Sequence, residues 1–325
     1  MCAGSPCGSQ SWPVPGADFK PGVRYFVSRV GSTPTGFRQI RTETNSKLTI
    51  FDFFRNPWQC TRKVVGRIRR NLISLPSSPV VAKINGTVNF EHRFLPFLDE
   101  DDFRAMLTGS YDLLLCDYLK RHVRPGDIVL DVGANVGYIS ATAASYLQPG
   151  GEVHGFEPLP ECFARLERLR ELNPQFRLTF NNFALGETDD VLPISYNPDG
   201  DSRNATLISG TGNKAGQVRE VPVLRLDEYI RTHIPNPEKI CLIKIDVEGF
   251  EYRVLRGLSG FFAENRCRPL IVCEVKPWEL KRLGATPRDF ADLIRGFGYK
   301  VSRIEDQSPV DLATMTEMGV LVFQP

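Results

Sequence analysis

The 325 residues carry 40 basic and 38 acidic side chains, a net charge of +2, so no global field steers the chain toward nucleic acid or a strongly acidic partner. At 42% hydrophobic content the chain can bury a sizeable core without disulfide staples. Eight cysteines with no C-x-x-C pair and four scattered histidines match no zinc-finger spacing, and no apolar run is long enough to span a bilayer. With no charged-then-apolar leader, the expectation is a soluble protein of the reducing cytoplasm.

In chain order, residues 1 to 47 are rich in Gly, Pro, Ser and Thr and lack periodicity, which predicts a flexible leader. Residues 48 to 79 form a second segment. Arg62, Lys63, Arg67, Arg69 and Arg70 interleave there with Val64, Val65 and Ile68, a basic amphipathic pattern over 48 to 75 that suits either packing on a neighbouring surface or peripheral contact with a membrane. The main domain is expected over 80 to 325. Val80 to Ile84 and Thr87 to Phe90 flank Asn85-Gly86 and read as a hairpin. Asp99 to Arg121 has a helical rhythm, ended by Pro125-Gly126.

Ile128-Val-Leu130 is a short apolar run suited to a strand buried on both faces, ending in Asp131. Gly133 and Gly137 follow, then a helical pattern from Tyr138. Strand, glycine turn and helix make the first half of a nucleotide-binding α/β unit, in which the turn brings backbone close to a ligand and N–H groups at the helix start offer donors. A dinucleotide fingerprint is excluded, because Asn135 and Tyr138 stand where its second and third glycines belong. Further strands are predicted at Glu152 to Phe156, delivering Glu157 at its end, at Phe176 to Phe183, at Val218 to Leu224, at Ile240 to Asp246 and at Leu270 to Val275, with a closing pair at Lys300 to Ile304 and Val320 to Phe323. Helices are predicted at Leu159 to Leu172, Asp227 to Thr232, Glu251 to Phe262 and from Thr286. The polar stretch from Tyr196 to Gln217 reads as a substrate-side loop.

The words Asp131-Val-Gly-Ala-Asn-Val-Gly137, Gly155-Phe-Glu-Pro158 and Lys244-Ile-Asp-Val-Glu-Gly249, in that order, resemble the FkbM family of S-adenosylmethionine-dependent methyltransferases, over about residues 84 to 323. The resemblance implies a Rossmann-like class I methyltransferase fold: an α/β, mostly parallel doubly wound sheet closed by an antiparallel strand pair. It implies S-adenosylmethionine held by Asp131, the turn residues Gly133, Ala134, Asn135 and Gly137, Glu157, and Asn182 and Ala184 beside the adenine. It further implies an acceptor that is a small molecule, sugar or glycolipid, with no nucleic acid partner. Oligomeric state is not legible.

For the chemistry, a hydroxyl acceptor needs a group to take its proton. Asp246, Glu248 and Glu274 are carboxylates predicted at the ligand edge of the sheet, and Lys244, two residues before Asp246 on the same strand face, can hold one ionised or contact substrate. Two arrangements fit. Asp246 and Glu274 bind Mg2+ that acidifies the hydroxyl, or, in the favoured arrangement, the carboxylates act directly without metal. O-methylation is the leading reading. N-methylation and a non-catalytic nucleoside-binding role are the alternatives.

Overall fold

The computed structural model describes residues 76, 78–93, 99–197, 205–208 and 216–325. The expected leader 1 to 47 and the basic segment 48 to 75 lie outside the described residues. The first described element is the expected hairpin, β1 (Val80–Ile84) and β2 (Val88–His92), antiparallel about Asn85 and Gly86 with φ of 48° and 75°. The continuous helix expected over 99 to 121 is instead two. Helix α1 (Glu100–Leu107) is capped by Asp99, and α2 (Leu113–His122) by Asp112. The Thr108 hydroxyl bonds back to the Arg104 carbonyl and Gly109 turns left-handed, which ends the first helix before the second can join it.

The central sheet is built from β3 (Ile128–Val132), β4 (Glu152–Phe156), β5 (Arg177–Asn181), β9 (Ile240–Ile245), β10 (Leu270–Val275), β11 (Lys300–Arg303) and β12 (Gly319–Gln324). Their order is β11-β12-β10-β9-β3-β4-β5. The strands from β5 to β10 run parallel, and β12 and β11 close that side antiparallel, as the resemblance implied. Strand β3 is buried throughout because both faces are covered: Ile128, Leu130 and Val132 join one core with Ile243, Ile245 and Ile271, while Val129 joins the other with Leu242 and Val272. Each such side chain contributes about 1.5–3 kcal/mol by leaving water. Helices α3 (Tyr138–Ala144) and α4 (Pro160–Glu171) follow β3 and β4.

Two further expectations are corrected. Val218 to Leu224 does not rejoin the central sheet: β8 (Gln217–Arg225) pairs with β6 (Ala184–Gly186) and β7 (Asp190–Tyr196) in a separate three-stranded sheet. Its alternation of apolar and charged residues suits a strand with one wet face, not a central parallel strand. The expected helix 251 to 262 is two, α6 (Glu251–Arg256) and α7 (Ser259–Glu264). Asp227, on α5 (Leu226–His233), holds that break by donating its N–H to the Gly257 carbonyl and accepting from Gly260 N–H. A short helix, α8 (Pro277–Arg282), was not foreseen, whereas α9 (Pro287–Gly296) starts at Thr286 with a full capping box.

The chain winds from β3 outward to β5, then returns to β9 on the other side of β3. That reversal opens a crevice at the carboxyl ends of the strands. Its floor depends on Gly133, whose φ is +77° and whose missing Cβ would lie 1.9 Å from the Asp246 carbonyl oxygen. Gly133→Ala is therefore expected to cost about 2–5 kcal/mol, combining left-handed strain with overpacking. Gly284→Ala, at φ +73° with open space around it, is expected to cost only the strain, about 1–2 kcal/mol. Urea unfolding of both variants checks this, and equal losses would show that the Asp246 carbonyl yields freely.

Candidate active site

Beneath the crevice lies a buried ion pair set by strand register. Asp131 on β3 stands directly opposite Lys244 on β9, and the two side chains leave the sheet on the same face. Lys244 Nζ lies 3.1 Å from Asp131 Oδ1 and donates a 2.6 Å hydrogen bond to the Gly133 carbonyl. Ser140, from α3, donates to Asp131 Oδ2 at 2.6 Å. Burial works to lower the Lys244 pKa, but the charges of Asp131 and Asp246 outweigh it and hold the ammonium above its ordinary range. Asp131 has no solvent exposure and lies below the crevice, where its partners are Lys244 and Ser140.

The next layer is Glu157, at the end of β4. One carboxylate oxygen accepts from Asn135 N–H and the other from Leu159 N–H, both at 2.9 Å, so the side chain ties the glycine turn to the start of α4. Each oxygen keeps lone pairs for a further donor. Burial pushes the carboxyl up to about 7, against those N–H groups and Lys244, which favour its charged form. Asn182 spends its amide on the Glu157 and Pro158 carbonyls, at 2.9 and 3.1 Å, and so buttresses this corner. Phe183 and Ala184 line the crevice wall beside it, and Gly133, Ala134 and Asn135 line the turn. Gly137 stands behind that turn as the left-handed N-cap of α3.

At the other end of the crevice are the acids. Asp246, Glu248 and Glu274 each offer an oxygen, all within 4.8 Å of one another. Asp246, 44% exposed at the side chain, is 4.0 Å from Lys244. Glu248 and Glu274 are instead both paired with Lys276, a residue the sequence reading passed over, with 2.7 Å to Glu274. Burial and the charge of Asp246 push the Glu248 and Glu274 carboxyls upward, and Lys276 opposes this. Asp112 lines the opposite wall, within the field of Asp246, Lys244 and Glu274.

The loop carrying these acids is held by Glu251, also missed from sequence. Its carboxylate accepts from the Val247 and Gly249 N–H groups at 3.1 and 3.0 Å, and burial pushes it up to about 7. Glu248 takes a left-handed φ of 54°, a strained setting for a side-chain-bearing residue that persists only when its surroundings fix it. Thr206 adds to that fixing by donating its hydroxyl to the Glu248 carbonyl at 2.9 Å. Thus the one well-described piece of the 196 to 217 stretch reaches the site, and its neighbours Ala205 and Leu207 line the crevice.

The crevice is lined by the glycine turn, Glu157, Phe183, Lys244, Asp246 and Glu248. A glycine turn, an acidic strand end with spare lone pairs and Phe183 meet at the switch point of a sheet with the class I methyltransferase arrangement. A family model described as the methyltransferase FkbM domain matches residues 131–301, and the chain belongs to that family of S-adenosylmethionine-dependent methyltransferases. Among curated proteins it is 29% identical over 276 residues to the 31-O-demethyl-FK506 methyltransferase FkbM of Streptomyces tacrolimicus, covering 74% of this chain and 93% of that one. It is 27% identical over 186 residues to the hexuronic acid methyltransferase AglP of Haloferax volcanii, covering 56% and 70%. Among solved structures, a methyltransferase FkbM from Methylobacillus flagellatus aligns at TM-score 0.37 and 15% identity over 70% of this chain and 56% of that one. No helix among the described residues is long and apolar enough to cross a membrane.

Because Glu157 titrates near 7 in the fold against an ordinary 4.5, its contribution to stability is fully present below about pH 4.5 and is lost as pH rises through 7. Gln carries no charge at any pH, although its amide nitrogen cannot accept the N–H bond that one Glu157 oxygen accepts. Glu157→Gln is therefore expected to gain stability relative to the ligand-free native protein between pH 5 and pH 8, read from denaturant midpoints at both pH values. A constant difference would place the Glu157 titration outside that window.

Proposed function

We propose that this protein is an O-methyltransferase whose acceptor is a hydroxyl-rich small molecule or glycan. The observation that carries the reading is the division of the crevice: Glu157 and the glycine turn on one part of its lining, Asp246 and Glu248 on another, with Glu274 clustered beside them. Both curated relatives bear names that specify oxygen-rich acceptors, one methylated at an oxygen of a demethyl-FK506 and one a hexuronic acid.

On this reading Glu157 accepts hydrogen bonds from the ribose hydroxyls, backbone N–H groups of the 133 to 137 turn receive the amino-acid end, and Phe183 with Ala184 flanks the adenine. Lys244 fixes the Gly133 carbonyl and Asp131 holds Lys244, so Asp131 supports the cofactor from below. S-adenosylmethionine supplies a methyl carbon made electrophilic by its sulfonium. The protein's part is to align the acceptor and remove its proton. Asp246 takes that proton as the acceptor oxygen gains the methyl; the bonding pair of the broken C–S bond stays on sulfur, leaving a neutral thioether. Glu248 and Glu274 receive hydrogen bonds from neighbouring acceptor hydroxyls.

Glu157→Ala is expected to weaken S-adenosylmethionine binding by about 1–3 kcal/mol, the cost of losing a charged hydrogen-bond acceptor, as read by calorimetry. Affinity in the native protein should also fall as pH drops below about 7, since the ionised carboxylate is the form that accepts both hydroxyls. Asp246→Asn is expected to keep cofactor affinity within a few-fold and lower turnover roughly 100-fold, the scale of a general base. Mass spectrometry of candidate glycans, polyols and amines incubated with protein and cofactor identifies the acceptor by the gain of one methyl group. Methylated amines with untouched hydroxyls would replace this reading with N-methylation, and loss of cofactor binding in Asp246→Asn would move that residue into the cofactor half.

A further inference from the structure

The three clustered acids have the composition of a divalent-cation site, yet a cation already stands among them. Glu274 stands near the end of β10, and Lys276, two residues on, returns its ammonium to Glu274 at 2.7 Å and also to Glu248, with only 16% of its side chain exposed. Two of the three carboxylates thereby share one covalently tethered positive charge. A Mg2+ ion using Asp246 and Glu274 would need to approach within roughly 2.1 Å of each ligand oxygen and would meet that ammonium first.

We propose that Lys276 is the resident cation of the acceptor half of this site. It takes the place a divalent ion would need, compensates Glu248 and Glu274, and leaves Asp246 as the carboxylate that receives the acceptor's proton. This rests on the placement of the acceptor at the acid cluster. Lys276 is a positioning residue: it fixes the two acids as hydrogen-bond acceptors beside Asp246. Its tether makes the site independent of metal supply. The same tether makes it indifferent to which hard cation is present.

The test uses Mn2+, an oxygen-seeking ion visible by electron paramagnetic resonance, titrated into the full-length native protein and into Lys276→Ala. The native protein is expected to show no saturable site tighter than about 1 mM, the weak end of carboxylate sites. Lys276→Ala is expected to gain a site at least about tenfold tighter, because Glu248 and Glu274 lose their shared counter-charge beside Asp246. Adding Glu274→Gln to that variant should abolish the gain. Calorimetry with S-adenosylmethionine confirms folding, and Lys276→Gln is read in the same way should the alanine variant fail. Tight Mn2+ binding by the native protein that disappears in Glu274→Gln overturns the proposal, as do folded Lys276 variants that gain no site. Neither arm requires the acceptor, so this inference can fail while the O-methylation reading stands, and the reverse.

Discussion

The interaction on which the site depends is the buried pair of Asp131 and Lys244. Two ions taken from water cost several kcal/mol each, and removing one partner alone costs about 3–5 kcal/mol because the other is left uncompensated. Such a pair persists only where the geometry is well satisfied. Here parallel register sets the two residues opposite each other, Ser140 completes the carboxylate, and the Gly133 carbonyl takes a lysine proton. The last of these bonds reaches furthest, because it fixes the backbone of the glycine turn that lines the crevice. From that turn the Asn135 N–H reaches Glu157, and Gly133 leaves room for the Asp246 carbonyl. Cofactor corner and acid cluster are thus referenced to one buried charge pair.

The central sheet was legible because its strands are extreme. Ile128 to Val132, Ile240 to Ile245 and Leu270 to Val275 are nearly unbroken apolar runs buried on both faces, and no helix or half-exposed strand shares that pattern. The hairpin followed from Asn85-Gly86, which few other backbone conformations accommodate. The small sheet was not legible. Strands β7 and β8 pair with each other and with β6 across a polar stretch, and neither strand announces which sheet it will join. The helix breaks differ: Thr108-Gly-Ser110 was a turn signal passed over, whereas the break at 257 to 258 depends on hydrogen bonds from a distant Asp227.

For the site, position at a strand end was an effective signal. Asp131, Glu157, Asp246 and Glu274 all stand at or just past the carboxyl ends of parallel strands, where an open α/β sheet gathers its ligand groups. What sequence could not give was the division of labour among them. Alternation along β3 puts Asp131 on the same face as Val129, inside a core, but only the register with β9 shows that Lys244 meets it there. Lys276 reads in sequence as a solvated residue at a helix start, and Glu251 as an ordinary acid in a first turn. Their roles arise from contacts with Glu248 and with the 247 to 249 backbone that local pattern does not encode. Asn182 shows the opposite effect: its position next to the crevice was legible, while its amide is committed to carbonyls beside it.

The Thr206 hydroxyl bonds the Glu248 carbonyl while the Thr206 backbone bridges to Ser195 of β7. The crevice wall at Ala205 and Leu207 is therefore hung between the small sheet and the loop that carries the acids. A substitution that shifts either support moves wall and acids together, so the shape of this side of the crevice and the placement of Glu248 cannot vary independently.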